Sequence, residues 1–134
     1  METSDWKQRL KNDQFAIHNG IEMIDSAKGF ARVKMDIKPF HLNGVGIVHG
    51  GAIFTLADFA FAIAANSHEQ VAVAINISIS YIKAIKDGTI YAEAKELSIN
   101  PKLGVYKVDV INSEKELLAS FQGMAYRKKQ TKNK

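Results

Sequence analysis

The sequence predicts a small α+β domain in which an antiparallel sheet of about six strands wraps around one long buried helix. One observation is an apolar run from Gly51 to Ala65, whose only polar residues are Thr55 and Asp58. A helix that is apolar on nearly every side is a buried helix. The second observation is the chain after this run, which reads as a series of strands separated by turn residues.

The N-terminal part of the chain predicts a helical segment over residues 1–18. Within it, residues 4 to about 16 have the spacing of a short amphipathic helix. We expect Trp6, Leu10 and Phe15 to lie on the inward-facing side of this helix.

Six strands are predicted where apolar and polar residues alternate between turn residues. The alternation is clearest after Gly29, where charged residues separate Ala31, Val33 and Met35, so one face of this strand is expected to be buried. A loop over residues 40–48 leads from the first two strands into the buried helix. The predicted strands cover residues 20–25, 29–37, 71–85, 89–98, 103–111 and 116–127.

Composition indicates one domain over residues 1–134, with an ordinary globular balance of 46% hydrophobic and 24% charged residues. The chain has no cysteine, which excludes a disulfide framework, a thiolate metal site and a cysteine nucleophile. No metal is predicted, because the histidines do not have the spacing of a zinc site. Apart from His49, we expect them to be surface or loop residues. The four histidines are His18, His41, His49 and His68.

Neither a membrane nor a nucleic acid is an expected partner. The chain start lacks the basic and apolar regions of a signal peptide, and the buried helix is too short to span a bilayer, which favours a soluble cytoplasmic protein. The net charge of +4 comes mainly from the C-terminus, where residues 128–134 are predicted to form a disordered basic tail. No aromatic residues interleave with its lysines, as nucleic-acid binding would favour.

Asp58 is the first candidate for a chemical role. Burying an ionised carboxylate is costly unless the group is paired or hydrogen-bonded, and such burial perturbs its pKa. Carboxylates with perturbed pKa values cluster at functional sites. The alternative is a structural aspartate that accepts hydrogen bonds from backbone amides.

Two glycines, Gly50 and Gly51, precede the apolar helix and form the second candidate. Backbone N–H groups at a helix N-terminus lack intrahelical partners and favour negative charge, so a carbonyl oxygen becoming an oxyanion would be stabilised there. The alternative is that the glycines only allow a tight turn. Gly50 lies eight residues before Asp58, or roughly 12 Å of helical rise. One reacting group reaches both only if two antiparallel helices contribute, which predicts a homodimer with two shared sites.

A longer pattern surrounds these candidates. It consists of Asn43, Gly44, Gly46, His49, Gly50, Gly51, Phe54, Leu56, Ala57, Asp58, Ala60, Ala64 and Asn66. The pattern resembles the signature of the hotdog-fold acyl-CoA thioesterases, and within them the PaaI-like branch of the phenylacetate pathway. Its specific element is His-Gly-Gly with Asn43 six residues before the histidine and Asp58 nine after it.

The resemblance implies hydrolysis of an acyl-CoA thioester, with CoA as part of the substrate and no cofactor. Asp58 matches the family's acid, which acts as nucleophile or as general base on water. Gly50 matches the position whose N–H, from the other subunit, polarises the thioester oxygen. His49 and Asn43 match groups near the thioester. The resemblance further implies a homodimer, with a tetramer formed as a dimer of dimers.

Five residues are predicted to bind substrate. Gly51 adds a backbone donor beside Gly50. Phe59 stands where relatives often have Ser or Thr after the acid, which indicates an apolar or aromatic acyl pocket, although a large residue on a buried helix is commonly a core residue. Asn76 and Ser78 lie on the strand that lines the acyl–pantetheine channel in this family. Lys83 is a candidate for the CoA phosphates, or is simply solvated.

Two other functions stay open from the sequence. One is a hydratase or dehydratase on the same fold, although its relatives arrange His and acid differently. The other is a non-catalytic acyl-CoA-binding module, because a fold can be retained after its catalytic activity is lost. Aromatic, short-chain and medium-chain acyl groups all remain candidates, as does an acyl-carrier-protein thioester.

Overall fold

The computed structural model describes residues 4–129 and shows a six-stranded antiparallel sheet packed against one long helix. The strand order is β1-β2-β4-β5-β6-β3, so that β1 and β3 form the edges. This arrangement confirms the predicted fold class. The helices are α1 (Ser4–Lys11), α2 (Gln14–His18) and α3 (Gly50–Ala65), and the strands are β1 (Ile21–Ala27), β2 (Phe30–Asp36), β3 (Ala72–Tyr81), β4 (Thr89–Ile99), β5 (Leu103–Asn112) and β6 (Leu117–Arg127).

Helix α3 supplies the centre of the core, as the apolar run predicts. Leu56 and Ala60 are fully buried, and small residues along the helix let the sheet approach closely. Phe61 packs against the rings of Tyr106 and Phe121, with centroids 5.7 Å away in both cases. Gly123 lies under the same ring, where a Cβ would come within 2.8 Å of Phe61. The helix is therefore held tightly against one face of the sheet.

The predicted pattern of β2 is confirmed, since Ala31, Val33 and Met35 are all fully buried. The predicted strand over 71–85 is too long, because β3 ends at Tyr81. The next two residues still donate to β6, and after them the carbonyl of Ile85 accepts a hydrogen bond of 2.8 Å from Val48 N–H in the loop before α3. The end of β3 is thereby tied to the start of α3.

The single N-terminal helix predicted over residues 4–16 is wrong. The chain breaks after α1, and Asp13 caps a second helix, its Oδ1 accepting from Ala16 N–H at 3.0 Å. This cap shifts the buried face, so that Phe15 is 63% exposed and Ala16 is buried, while Leu10 is partly buried as expected. The orientation predicted for the Trp6 side chain lies outside what the structure describes.

Most of the predicted basic tail, residues 130–134, also lies outside the described residues. Lys128, within them, donates its backbone N–H to the carbonyl of Val71 at 2.8 Å. Between residues 4 and 129, no helix is long and apolar enough to cross a membrane.

Candidate functional site

The start of α3 is shaped by His49, which caps the helix. Its Nδ1 accepts a hydrogen bond of 2.7 Å from Gly51 N–H. A neutral imidazole that accepts at Nδ1 carries its proton on Nε2. The His49 side chain is exposed, so this Nε2–H is a donor available at the helix start.

Gly51 is required by this cap. A Cβ at position 51 would come within 2.9 Å of His49 Nδ1, closer than real side chains approach. Because the Gly51 N–H already donates to His49, the two glycines differ in what they offer. The Gly50 N–H makes no hydrogen bond within residues 4–129, as is usual for the first amide of a helix. Gly50 therefore holds the free backbone donor.

Tyr81 lies against Gly50, a contact that the sequence did not predict. Its hydroxyl donates to the Gly50 carbonyl at 3.0 Å, and a Cβ on Gly50 would lie 3.2 Å from the ring. The last residue of β3 thus packs on the first turn of α3. The sequence feature that could have indicated this contact is a tyrosine at the end of a strand, whose ring packs on apolar groups while its hydroxyl seeks a hydrogen-bond partner.

His41 is a second residue that sequence reasoning missed. The sequence predicts a surface or loop residue here, whereas His41 lies in the 3-10 turn Pro39–His41 with only 2% of its surface exposed. Its Nδ1 accepts from Lys38 N–H at 2.9 Å, and its carbonyl accepts from His49 N–H at 2.7 Å. Burial lowers the pKa of His41, with a smaller opposing effect from the nearby Asn19 backbone. A neutral, buried ring therefore anchors the loop that presents His49.

Asn43 organises the same loop. Its Oδ1 accepts from the N–H groups of Val45 and Ile47, at 3.0 and 3.2 Å. Both bonds use the side-chain oxygen, so that they leave the amide nitrogen unengaged. The role predicted for Asn43 near a thioester stays a prediction.

Asp58 lies in the middle of α3, on a stripe of the helix that the sheet does not cover. The stripe consists of Gly51, Thr55, Asp58 and Ala62, each at least partly exposed, at the spacing of one helical face. Burial, and secondly the negative charge of Asp13, raise the pKa of Asp58 above the ordinary 3.8. The carboxylate makes no hydrogen bond within the part of the chain that the structure describes, so the structural alternative of an amide-bonded aspartate has no support there.

Asp58 and Gly50 are separated by the helix that carries them both. They lie eight positions apart in α3, roughly 12 Å along its axis. One chain therefore brings His49, Gly50 and Tyr81 together and leaves Asp58 apart from them.

The three phenylalanines of α3 have different surroundings. Phe54 and Phe61 pack on Phe121 in the core, each with ring centroids 5.7 Å from it. Phe59 is 8% exposed and lines a cavity beneath the N-terminal helices. Phe59 also belongs to the buried core cluster, so the structure contains both features that the sequence left open, and its predicted contact with substrate stays a prediction.

The other predicted substrate contacts lie outside this cluster. Asn76 and Ser78 are exposed on β3 and alternate with Ile77 and Ile79, which pack toward the core. In one chain they therefore lie on the side of the sheet opposite α3. Lys83 pairs with a carboxylate, its Nζ lying 2.6 Å from Glu116 Oε2. Binding a phosphate through Lys83 would require this ion pair to open.

The groups at the start of α3 are suited to a developing negative charge. They are an unpaired backbone N–H, the positive end of a helix dipole and the Nε2–H of a neutral imidazole. Asp58 is partly buried and its pKa is raised by burial, so its carboxylate is a stronger base than that of an exposed aspartate. Together these groups can polarise a carbonyl and activate water, provided that they meet.

Comparison with known proteins gives matches along most of the chain. Residues 45–119 match the Thioesterase superfamily. The acyl-coenzyme A thioesterase PaaI of Escherichia coli K12 is 36% identical over 118 residues, 87% of this chain and 84% of that protein. The solved structure of the E. coli PaaI protein from the phenylacetic acid degradation operon superposes with a TM-score of 0.89 at 34% identity, covering 93% of this chain and 91% of that one. A mutant of the phenylacetic acid degradation protein PaaI from Thermus thermophilus superposes with a TM-score of 0.83 at 31% identity, covering 87% of this chain and 100% of that one.

Replacing Asp13 by asparagine tests the electrostatic environment of Asp58. Asparagine is as good a helix cap as aspartate, so Asp13→Asn removes the charge and keeps the fold of α2. We expect the pKa of Asp58 to fall while staying above 3.8, because burial remains. Carboxyl ¹³C NMR titration measures it directly, with Asp25→Asn on β1 as a control for removing an exposed carboxylate. An unchanged pKa in Asp13→Asn would show that the two carboxylates do not interact.

Proposed function

This chain belongs to the thioesterase superfamily and is a thioester hydrolase, and we propose that it hydrolyses acyl-CoA at a site completed by a second copy of the chain. The observation that carries the proposal is the position of two complementary groups, a free Gly50 N–H and a partly buried Asp58, on one helix but out of reach of one another. The predicted resemblance to PaaI-like thioesterases and the hotdog fold are confirmed by the matches above. That the PaaI relative is named an acyl-coenzyme A thioesterase supports the substrate class.

A twofold dimer would close the gap between these groups. Phe54 lies midway between Gly50 and Asp58 in α3. If a twofold axis passes beside this level of the helix, two copies of α3 run antiparallel and Gly50 of one copy meets Asp58 of the other. The uncovered stripe that carries Asp58 is lined by small residues, Gly51, Thr55 and Ala62, which allow two helices to approach closely.

The edge strand β3 supports the same assembly. It is ten residues long, pairs with no strand but β6 among residues 4–129, and exposes the apolar side chains of Val73 and Ile75. A long apolar edge strand is a template for pairing with another strand. A second β3, related by the twofold axis, would cover this edge.

Pairing of such dimers into a tetramer stays a prediction from the resemblance. Light scattering measures the mass of the assembly in solution and tests this prediction.

In the proposed reaction, the thioester oxygen accepts a hydrogen bond from Gly50 N–H of one copy while Asp58 of the other acts at the carbonyl carbon. As a general base, Asp58 takes a proton from water as the water oxygen attacks. As a nucleophile, it forms an anhydride that water then hydrolyses. In both routes the carbon–sulfur bond breaks and the CoA thiolate leaves to be protonated. No cofactor takes part in either route. A single turnover in H₂¹⁸O detects the nucleophilic route when water attacks the Asp58 carbonyl of the anhydride, because only that attack leaves ¹⁸O in Asp58.

Asp58→Asn tests the proposed function. We expect thiol release from acyl-CoA substrates to fall by about 10²–10⁴-fold, the usual effect of removing a general base. The folded state holds the Asp58 proton to higher pH than the unfolded chain does, so the charged carboxylate lowers stability as the pH rises above 3.8. Asp58→Asn is therefore expected to melt no lower than the wild type at pH 7. Full activity in this variant would exclude Asp58 from the chemistry.

Two substitutions at Gly50 separate the backbone donor from the space around it. Proline is tolerated at the first position of a helix, and His49 already has the extended backbone that proline requires before it. Gly50→Pro removes the N–H, and we expect kcat to fall by about 10²–10³-fold. Gly50→Ala keeps the N–H and adds only a Cβ beside the exposed Tyr81 ring, so it is the matched control. Equal losses in both variants would mean that space, not the donor, matters at this position.

A further inference from the structure

The ring of His41 is almost completely enclosed, yet only one of its two nitrogens is hydrogen-bonded. The residue is 2% exposed, and Phe40 packs on the ring with centroids 4.4 Å apart. Nδ1 accepts from Lys38 N–H at 2.9 Å, whereas the buried Nε2 has no hydrogen-bond partner within residues 4–129. A buried polar group without a partner lowers stability. An apolar side chain of similar size would pack better here, which indicates that packing is not the only role of His41.

The hydrogen bond to Lys38 fixes the protonation state of the ring. A backbone N–H donates, so Nδ1 is unprotonated and the proton of the neutral ring is on Nε2. A second proton would have to bind Nδ1, where it would face the Lys38 N–H across a distance that accommodates one hydrogen. Rotating the ring by half a turn gives no relief, because both nitrogens of an imidazolium carry protons. Protonation of His41 therefore breaks its bond to Lys38 and displaces the ring or the turn around it.

The backbone of His41 connects this turn directly to the start of α3. Its carbonyl accepts from His49 N–H at 2.7 Å. Between these two histidines the chain forms a small hairpin, in which Leu42 and Val48 are paired. The residue after the hairpin is Gly50, which holds the free backbone donor. A displacement of the His41 backbone is therefore passed through one hydrogen bond to the residue beside that donor.

The charged and titratable groups around the ring favour its neutral form. Burial lowers the pKa of His41, the nearby Asn19 backbone opposes this effect, and the Lys38 charge lowers the pKa further. Two more titratable side chains lie nearby, His18 packing against the same turn from the end of α2 and His49 at the start of α3. No carboxylate forms an ion pair with His41 in the part of the chain that the structure describes. The ring therefore gains its second proton only at a pH below the ordinary 6.5.

We propose that His41 is a positioning residue of the thioesterase site, which holds His49 and Gly50 in place only while its ring is neutral. The proposal deepens the proposed function and rests on it, since the donors that His41 positions are those assigned to the thioester oxygen. Loss of activity in mild acid then has two separate causes, protonation of the Asp58 carboxylate and displacement of the donors by protonated His41. The second cause lowers kcat, because a displaced donor no longer stabilises the transition state.

An NMR titration from about pH 8 to about pH 5, the range in which histidines titrate, tests the coupling without any substrate. At the upper end we expect the ring ¹⁵N shifts of a neutral His41 with its proton on Nε2. As the pH falls, the amide signals of Lys38 and His49 are expected to move with the same midpoint as the His41 ring, below 6.5. A proton on Nδ1 at the upper end, or a Lys38 amide that does not follow the ring, would overturn the inference.

Two substitutions at position 41 separate the hydrogen-bond acceptor from its titration. The side-chain oxygen of asparagine occupies about the position of Nδ1 and binds no proton in this pH range, so His41→Asn keeps the bond to Lys38 throughout. His41→Leu has a similar volume and removes the acceptor. The matched control is His18→Asn, which removes an exposed histidine beside the same turn. In this control the Lys38 amide is expected to titrate as in the wild type, and thermal melting checks the fold of each variant.

Steady-state kinetics measure thiol release from whichever of benzoyl-CoA, butanoyl-CoA and octanoyl-CoA the wild type hydrolyses fastest. We expect kcat of His41→Asn, divided by kcat of the wild type, to rise as the pH falls. The rise is about tenfold for each pH unit below the pKa of His41, with the ratio of the KM values constant. At the upper end of the range, His41→Leu is expected to lower kcat about tenfold or more with KM unchanged, and His41→Asn to restore it.

The outcomes separate this inference from the proposed function. A kcat ratio that does not change with pH would overturn the role of His41 and leave the thioesterase standing. Equal losses of kcat in His41→Asn and His41→Leu would also overturn it, since the Nδ1 acceptor would then have no special part. If either variant melts below the assay temperature, the wild-type NMR titration still decides the question. A folded wild type that hydrolyses none of the three substrates would overturn the proposed function, and with it the role of His41 in the reaction.

Discussion

The length of helix between Gly50 and Asp58 is the constraint on which the site depends. Helix α3 is continuous from Gly50 to Ala65, and its rise keeps the free amide and the carboxylate roughly 12 Å apart. No side-chain rotation within one chain closes that distance. The proposed activity therefore depends on the assembly of two chains. The uncovered stripe of α3 and the apolar edge of β3 are the surfaces through which a second copy would bind.

Contacts from the preceding loop and from the end of β3 hold the start of α3 in place. Loop 40–48 is anchored by the buried ring of His41, whose carbonyl accepts from His49 N–H. Tyr81 and Ile85 tie the end of β3 to the same point through Gly50 and Val48. These contacts fix the positions of His49 and Gly50, and the proposed stabilisation of an oxyanion needs its donors to be ordered in this way before a substrate arrives. The partly buried Asp58, by contrast, has a raised pKa and no hydrogen-bond partner within the described residues, an arrangement that favours function over stability.

Sequence periodicity was sufficient where one face of an element is buried against the core. The alternation through Ala31, Val33 and Met35 and the apolar run of α3 both appear in the structure as predicted. Where periodicity predicted the wrong structure in the N-terminal helix, a local hydrogen bond was the reason. Capping by Asp13 divided the N-terminal helix and turned Phe15 outward. The burial of His41 and the contact of Tyr81 with Gly50 depend on chain segments distant in sequence, and no local pattern indicates them.

The most direct test of a shared site is complementation between two inactive chains. Asp58→Asn keeps the Gly50 donor, and Gly50→Pro keeps the carboxylate. When the two are co-expressed, half of the dimers are mixed, and each mixed dimer has one intact site if the site is shared. We expect about a quarter of wild-type thiol release from the mixture and none above background from either variant alone. A mixture as inactive as its components, with mixed dimers shown by mass spectrometry, would contradict a site built from two chains.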